Sequence, residues 1–347
     1  MNLDEVFDYA IDQEINAMEF YERSAAQTDN AEAAALFRSL ARMEAAHRRA
    51  LENEKEIIAG AGAFKAPKNE QPSPEDERVT SLERMTGVLK EANVELTNRH
   101  RRVQAELETA GQIQEALLPR KAPQLPGLSI SVSCSMAEQI GGDYYDFLLT
   151  PRGLLAFTIA DVSGKGLPAA MLMMAMRTLW RSKIREDESP HLVLESMAAE
   201  STAELQQNDQ FVTMITAAYD VDAHRLTFAN GGHWPPLVFF TGDDDFTPMP
   251  TGWLPLGLNE SDEYTDHVLD LPPDSLVVLY SDGILDAANP EGERFGESRL
   301  RKLILDSKDL DSDEIRDSVA TAVFEFSRGR QQDDETLIVI KRLSSPC

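Results

Sequence analysis

The sequence predicts an α+β fold, with antiparallel sheets covered by helices, preceded by an α-helical hairpin and a coiled-coil linker helix. Three observations predict it. Short apolar runs of strand length come in series through the C-terminal two-thirds, and the helical patterns there come in pairs rather than alternating singly with strands. The first 59 residues carry apolar stripes at helical spacing. Between the two lies a stretch with an apolar residue at every seventh position.

The first stripe runs Phe7, Ile11, Met18, Tyr21, Ala25, and Thr28-Asp29-Asn30 breaks it while offering an N-cap to a second helix. The second runs Ala33, Leu36 or Phe37, Leu40, Leu51. Polar residues interrupt both: Glu14 between Ile11 and Met18, Glu44 and His47 between Leu40 and Leu51. A carboxylate in an apolar seam is costly without a partner. Glu14 and Glu44 stand equally far from the break, about 21 Å at about 1.5 Å per residue, hence level with each other in an antiparallel hairpin. Glu44 and His47, three apart, share a helix face. Residues 14–21 (EINAMEFY) and 36–47 (LFRSLARMEAAH) thus resemble the first half of a rubrerythrin-type, ferritin-like domain. That resemblance implies a di-iron or other di-metal site at Glu14, Glu44 and His47, shared across a homodimer, because this chain has one hairpin where the family has four helices. The other reading is a plain dimerisation hairpin whose Glu and His make hydrogen bonds or line a vestigial site.

Residues 60–75, rich in Gly, Pro and Lys, read as a flexible linker. A long helix over 76–119 follows. Leu82, Leu89, Leu96, Val103, Ala110 and Leu117 recur every seven residues; Met85, Ala92 and Ile113 fit the intervening positions, while Arg99 and Glu106 do not. A parallel two-stranded coiled coil is expected, the alternative being one amphipathic helix packed on the next domain. Leu118-Pro119 ends it. Residues 120–347 form the large domain. Its strand-like runs are 128–134, 144–149, 154–160, 212–220, 225–229, 236–240, 275–280 and 336–342, and its helical ones 167–185, 191–207, 296–305 and 311–328.

Four acidic clusters stand where these strands meet turns: Gly141-Gly142-Asp143, Asp161-Val162-Ser163-Gly164, Ser281-Asp282-Gly283 and Asp333-Asp334. Taken singly, an Asp beside Gly is most often a turn former. Several converging carboxylates repel one another, and a hard divalent cation with oxygen ligands makes the set stable. Two such ions about 3.5–4 Å apart lower the pKa of a bridging water and offset phosphoryl charge, the chemistry of phosphate-ester hydrolysis.

With Gln114-Glu115-Ala116-Leu117-Leu118-Pro119, Gly141 to Asp146, Ala160 to Gly166, Asn230-Gly231-Gly232-His233, Tyr280 to Gly283 and Asp333 to Thr336, the segment from about 115 to 343 resembles the bacterial SpoIIE-type branch of the phosphatase 2C superfamily. The resemblance implies a central antiparallel β-sandwich flanked by helices, with two Mn²⁺ or Mg²⁺ at one edge. By motif match Asp161 bridges the ions and the Val162 carbonyl is a further ligand. Asp282 and Asp333 hold one ion and Asp143 serves the other side, while Asp146 and Asp334 support the site or hold a weaker third ion. Lys165 stands where the family often has His, and either touches the substrate phosphate or is solvated. His233 reads as a turn residue before it reads as a general acid.

The formal charge of −27 argues against nucleic acid and against an anionic membrane surface as partners, and no apolar run reaches the length of a membrane span. Two cysteines, Cys134 and Cys347, make neither a disulfide framework nor a zinc spacing, and the N-terminus shows no signal-peptide pattern, so a cytoplasmic protein is expected. The function expected is a metal-dependent protein serine/threonine phosphatase. Its substrate, by resemblance, is a phosphorylated STAS-domain antagonist of an anti-sigma factor, and the N-terminal helices control it through a dimeric coiled coil. The alternative is a catalytically silent scaffold of the same fold.

Overall fold

The computed structural model describes residues 3–27, 38, 40–42, 45–46, 48–53, 55, 74–186, 189–251, 254–259 and 263–344. The chain divides into two compact units, residues 1–89 and 90–347.

In the first unit, α1 (Leu3–Gln27) follows the apolar stripe, and Phe7, Ile11, Met18, Tyr21 and Ala25 are all half-buried. The described residues between 38 and 55 are also helical, with Ala41 buried. An ion pair between Lys55 and Asp8 brings the end of that stretch beside the start of α1, as an antiparallel hairpin requires. Glu14 lies on α1, but its side chain, and Glu44 and His47 altogether, fall outside the described residues. So does most of the expected linker; its last two residues, Pro74 and Glu75, belong instead to α2 (Pro74–Leu117). Proline is suited to a first helical position, where its missing N–H has no intrahelical partner. Of the heptad positions along α2, Met85, Leu96, Val103 and Ile113 are 46–67% exposed.

The second unit has four layers. One sheet has the order β2 (Asp143–Leu149), β3 (Leu155–Val162), β4 (Val212–Asp220), β5 (Arg225–Gly231), β7 (His267–Asp270). The other has the order β1 (Leu128–Ser135), β9 (Glu335–Arg342), β8 (Leu276–Tyr280), β6 (Leu237–Phe239), and every pairing is antiparallel. The inner faces enclose one core, in which Phe147, Phe157 and Ile159 are clustered with Leu279, Ile338 and Ile340. Helices α3 (Gly166–Glu186) and α4 (Pro190–Gln207) cover the five-stranded sheet, with Trp180 fully buried and its indole N–H donating to Thr216. Helices α6 (Gly296–Ser307) and α7 (Ser312–Ser327) cover the other sheet with a second apolar cluster around Leu300, Ile315 and Val319. Asp311 and Glu314 form a reciprocal capping box at the start of α7.

Two elements depart from expectation. β7, with alternating half-buried and exposed residues, is a four-residue edge strand too short to show a period. The Ser281-Asp282-Gly283 turn is the start of a one-turn helix, α5 (Asp282–Asp286). Among the described residues no helix is long and apolar enough to cross a membrane.

Candidate active site

The register of β2 on β3 sets Asp143 directly opposite Asp161. Directly opposite residues of an antiparallel pair share a face, and strand alternation puts these two on the face of Phe147 and Phe157, toward the second sheet. From that sheet come Asp282, just after β8, and Asp333, just before β9. β8 and β9 are neighbours, so both carboxylates arrive at the same end of the sandwich. Ser281 stitches this end together. Its hydroxyl accepts from the Thr336 N–H and donates to the Asp334 carbonyl, and its own N–H donates to the Thr336 carbonyl. Gly283 permits the approach, since a Cβ there would lie 2.1 Å from the Asp334 carbonyl oxygen.

Asp161, Val162, Asp282 and Asp333 line one open cavity. Asp143 lies behind it, 1% exposed, accepting a hydrogen bond from the Thr336 hydroxyl. Burial, followed by repulsion from Asp282 and Asp333, pushes the Asp161 carboxyl up to about 7. Burial and the Asp161 charge push Asp143 up as well, and burial and Asp333 raise Asp282. These groups are held close enough to resist joint ionisation, as converging carboxylates do.

The donor set fits hard divalent cations. It is all oxygen, and Gly142 leaves the Val162 carbonyl clear, for a Cβ there would sit 2.8 Å from that oxygen and 3.6 Å from an Asp161 carboxylate oxygen. Among the described residues no three carboxylate, imidazole or thiol side chains stand grouped to hold one ion. Two of the carboxylates are engaged elsewhere, Asp143 with Thr336 and Asp333 with the Lys165 ammonium at 2.8 Å.

Asp334 and Asp146 take other places. Asp334 clamps the Gly141-Gly142-Asp143 turn: one carboxylate oxygen accepts from the Ala137 N–H at 2.8 Å, and the other from the N–H groups of Gly142 at 2.7 Å and Asp143 at 3.4 Å. It is thus a support, one of the two roles expected of it. Asp146 is not a ligand of any ion at this edge. Three residues beyond Asp143 it lies on the opposite face of β2, fully buried, accepting from Tyr144, from Arg181 of α3 and from the Phe147 N–H.

His233 is a structural residue, as its turn context suggested. Its Nε2–H donates to the Tyr280 carbonyl, and its Nδ1 accepts from the Thr213 hydroxyl. Asn230 holds its backbone in both directions. Burial pushes the imidazole down to about 4, so it stays neutral near neutral pH. Sequence reasoning missed Thr336 as the donor to Asp143, and it missed the aromatic rim of the cavity, Phe211 and Trp234, both partly exposed. Only the place of Thr336 at the start of a strand after two aspartates hinted at the first.

The SpoIIE family model (Stage II sporulation protein E) matches residues 151–343, and the rubrerythrin model matches residues 1–55. The phosphoserine phosphatase RsbU of Bacillus subtilis is 30% identical over 245 residues, covering 69% of this chain and 71% of that protein. The phosphoserine phosphatase RsbP of the same organism is 24% identical over 241 residues, 68% of this chain and 57% of its own length. Among solved structures, the SiaA-PP2C domain of Pseudomonas aeruginosa superposes with a TM-score of 0.63 at 20% identity, over 70% of this chain and 98% of that domain. That likeness bears out the antiparallel sandwich flanked by helices as the fold. Two packed antiparallel sheets, aspartates gathered at one edge in the motif order of the family, and a family model spanning more than half of the chain agree, and the chain belongs to the SpoIIE family of bacterial serine phosphatases.

Proposed function

We propose that this protein hydrolyses phosphoserine or phosphothreonine on a partner protein, with Asp143, Asp161, Asp282, Asp333 and the Val162 carbonyl holding two Mn²⁺ or Mg²⁺ ions. The observation that carries the reading is the meeting of Asp161 with Asp282 and Asp333 in one open cavity, three carboxylates from strand ends far apart in sequence. Bound there, the ions would supply a water of lowered pKa and compensate phosphoryl charge. The chain's own part is to hold the oxygens. Asp334 and Gly142 shape the turn that carries Asp143, and Ser281 sets Asp282 against the start of β9. The His233 imidazole takes no proton in this scheme, because both ring nitrogens are committed. The test is manganese-dependent hydrolysis of p-nitrophenyl phosphate, expected to vanish in Asp282→Ala. Retention of turnover by that variant would refute the assignment, and a wild type without turnover would favour the silent scaffold.

For the substrate, the reading is a phosphorylated STAS-domain antagonist of an anti-sigma factor. It is supported by the likeness to RsbU, a phosphoserine phosphatase by name. For control, the reading is a homodimer formed through the hairpin and through α2, whose exposed Leu96 and Val103 are of the kind a second α2 would cover. In the hairpin, Glu14, Glu44 and His47 are proposed to hold a di-metal site, supported by the rubrerythrin match. Phosphatase activity with and without iron, in wild type and in Glu44→Ala/His47→Ala, checks this; equal responses would remove the sensor.

A further inference from the structure

Among the described residues lining the cavity that holds Asp161, Asp282 and Asp333, Lys165 is the one lysine or arginine. It sits on the loop from β3 to α3, between Gly164 and Gly166, both at positive φ. Its ammonium lies 2.8 Å from one carboxylate oxygen of Asp333 and donates to the Gln332 carbonyl at 2.6 Å. The other Asp333 oxygen accepts from the Asp334 N–H at 3.0 Å. Each oxygen of Asp333 thus already accepts one hydrogen bond from the protein, and a cation that takes the oxygen facing Lys165 competes with its ammonium.

Displacing that ammonium is cheap. The Lys165 and Asp333 side chains are 51% and 40% exposed, and pairs so exposed contribute only about 0–1 kcal/mol. It also leaves the loop in place. The Ser163 N–H donates to the Phe211 carbonyl and the Ser163 hydroxyl accepts from the Phe211 N–H, both at 2.9 Å, so the backbone before Lys165 is anchored to β4's approach while the lysine stem is free to turn. A released ammonium in this cavity has carboxylates for neighbours, which the incoming cations neutralise. What then remains for it is the anion that enters with them. A lysine is a compact point charge on a flexible stem, suited to meeting a phosphate from several angles.

We propose that Lys165 is an exchangeable counter-ion, which holds Asp333 until a divalent cation takes that oxygen and thereafter binds the phosphate of the substrate. The proposal rests on the reading of the aspartates as a divalent-cation site and assigns a further residue to it. It makes two opposite predictions for one substitution.

The experiment compares wild type with Lys165→Gln. Mn²⁺ binding to the metal-free protein is followed by the electron paramagnetic resonance of free Mn²⁺. Binding of inorganic phosphate to the Mn²⁺-loaded protein is followed by calorimetry. Removing the competitor is expected to tighten Mn²⁺ about threefold, the worth of an exposed ion pair. Removing the phosphate partner is expected to weaken inorganic phosphate about tenfold or more, the worth of a charge-assisted hydrogen bond. Lys165→Arg, which keeps the charge, is expected to restore most of the phosphate affinity. No change in either affinity would mean a solvated lysine, and loss of both would mean a lysine that only braces the loop. Either of these outcomes, or one change without the other, overturns the exchange. Asp282→Asn goes through the same Mn²⁺ titration as a separate control. If that variant bound Mn²⁺ as wild type does, the cation site itself would fall, whatever Lys165 did.

Discussion

Gln114 and Gly141 hold each other by two hydrogen bonds: the Gln114 amide donates to the Gly141 carbonyl at 2.7 Å, and its oxygen accepts from the Gly141 N–H at 3.1 Å. Gln114 is 5% exposed and stands one turn from the end of α2, while Gly141 begins the turn that presents Asp143. Gly111, one turn earlier, packs so closely that a Cβ there would meet the Gln139 carbonyl oxygen at 2.1 Å. The last turns of the helix are thus bonded to the turn that carries Asp143. Gln114→Ala leaves a buried N–H and C=O unpaired, at about 1–3 kcal/mol. The expected outcome is a higher Mn²⁺ requirement for p-nitrophenyl phosphate hydrolysis with only a modest fall in Tm, read by a Mn²⁺ titration beside a melting curve. An unchanged Mn²⁺ requirement would show that the turn does not depend on the helix.

Gly142→Ala tests the crowding at Val162. The new methyl would lie 2.8 Å from the Val162 carbonyl oxygen and 3.4 Å from the Ala169 Cβ, so one of them has to move. Overpacking of this kind costs about 1–3 kcal/mol. Because the displaced carbonyl is a proposed ligand, Mn²⁺ affinity should fall about tenfold. Calorimetric titration of the folded variant checks it, and wild-type affinity would remove Val162 from the site.

Asp146 gives the contrasting case. Its carboxylate is buried and bridges Tyr144 and Arg181 on the helix side of β2. Breaking a buried ion pair by removing one partner costs about 3–5 kcal/mol. Asp146→Ala should therefore lower Tm strongly while the folded fraction keeps wild-type Mn²⁺ affinity. Arg181→Met, which leaves the buried Asp146 carboxylate without its charge partner, should show the same pattern. Loss of Mn²⁺ binding in a still-folded Arg181→Met would put Asp146 back into the site.

His233 predicts a pH dependence. Its folded pKa is lowered by burial to about 4, below the ordinary 6.5. The unfolded chain then binds more protons between these values. The stability from the neutral buried imidazole is present above pH 6.5 and lost as pH falls toward 4, by roughly 3 kcal/mol at most. The raised Asp161 acts with the opposite sign, so the comparison has to be made with a variant. The stability gap between wild type and His233→Gln should narrow from pH 7 to pH 4 in urea melts. A constant gap would mean that His233 is not held neutral.

Much of this was legible along the chain. Eight of the nine strands, four helices of the large domain and the four acidic clusters were found from local signals, because apolar period and turn chemistry act between neighbours. The four-residue β7 and the one-turn α5 offered too few residues for either signal. Asp143 and Asp146 lie three residues apart in one sequence motif. They differ because a strand alternates its faces, and only the packing of α3 on one side and of β9 on the other gives those faces different neighbours.

By itself, then, the sequence determined the kind of chemistry this protein can carry: hard oxygen donors beside glycines at strand ends, and a helix leading into them. Tertiary structure alone decided which donors meet. Asp143 and Thr336, 193 residues apart, touch through the packing of one sheet on another, and Lys165 finds Asp333 across 168 residues. Such contacts follow from register and layer stacking, which no local pattern encodes.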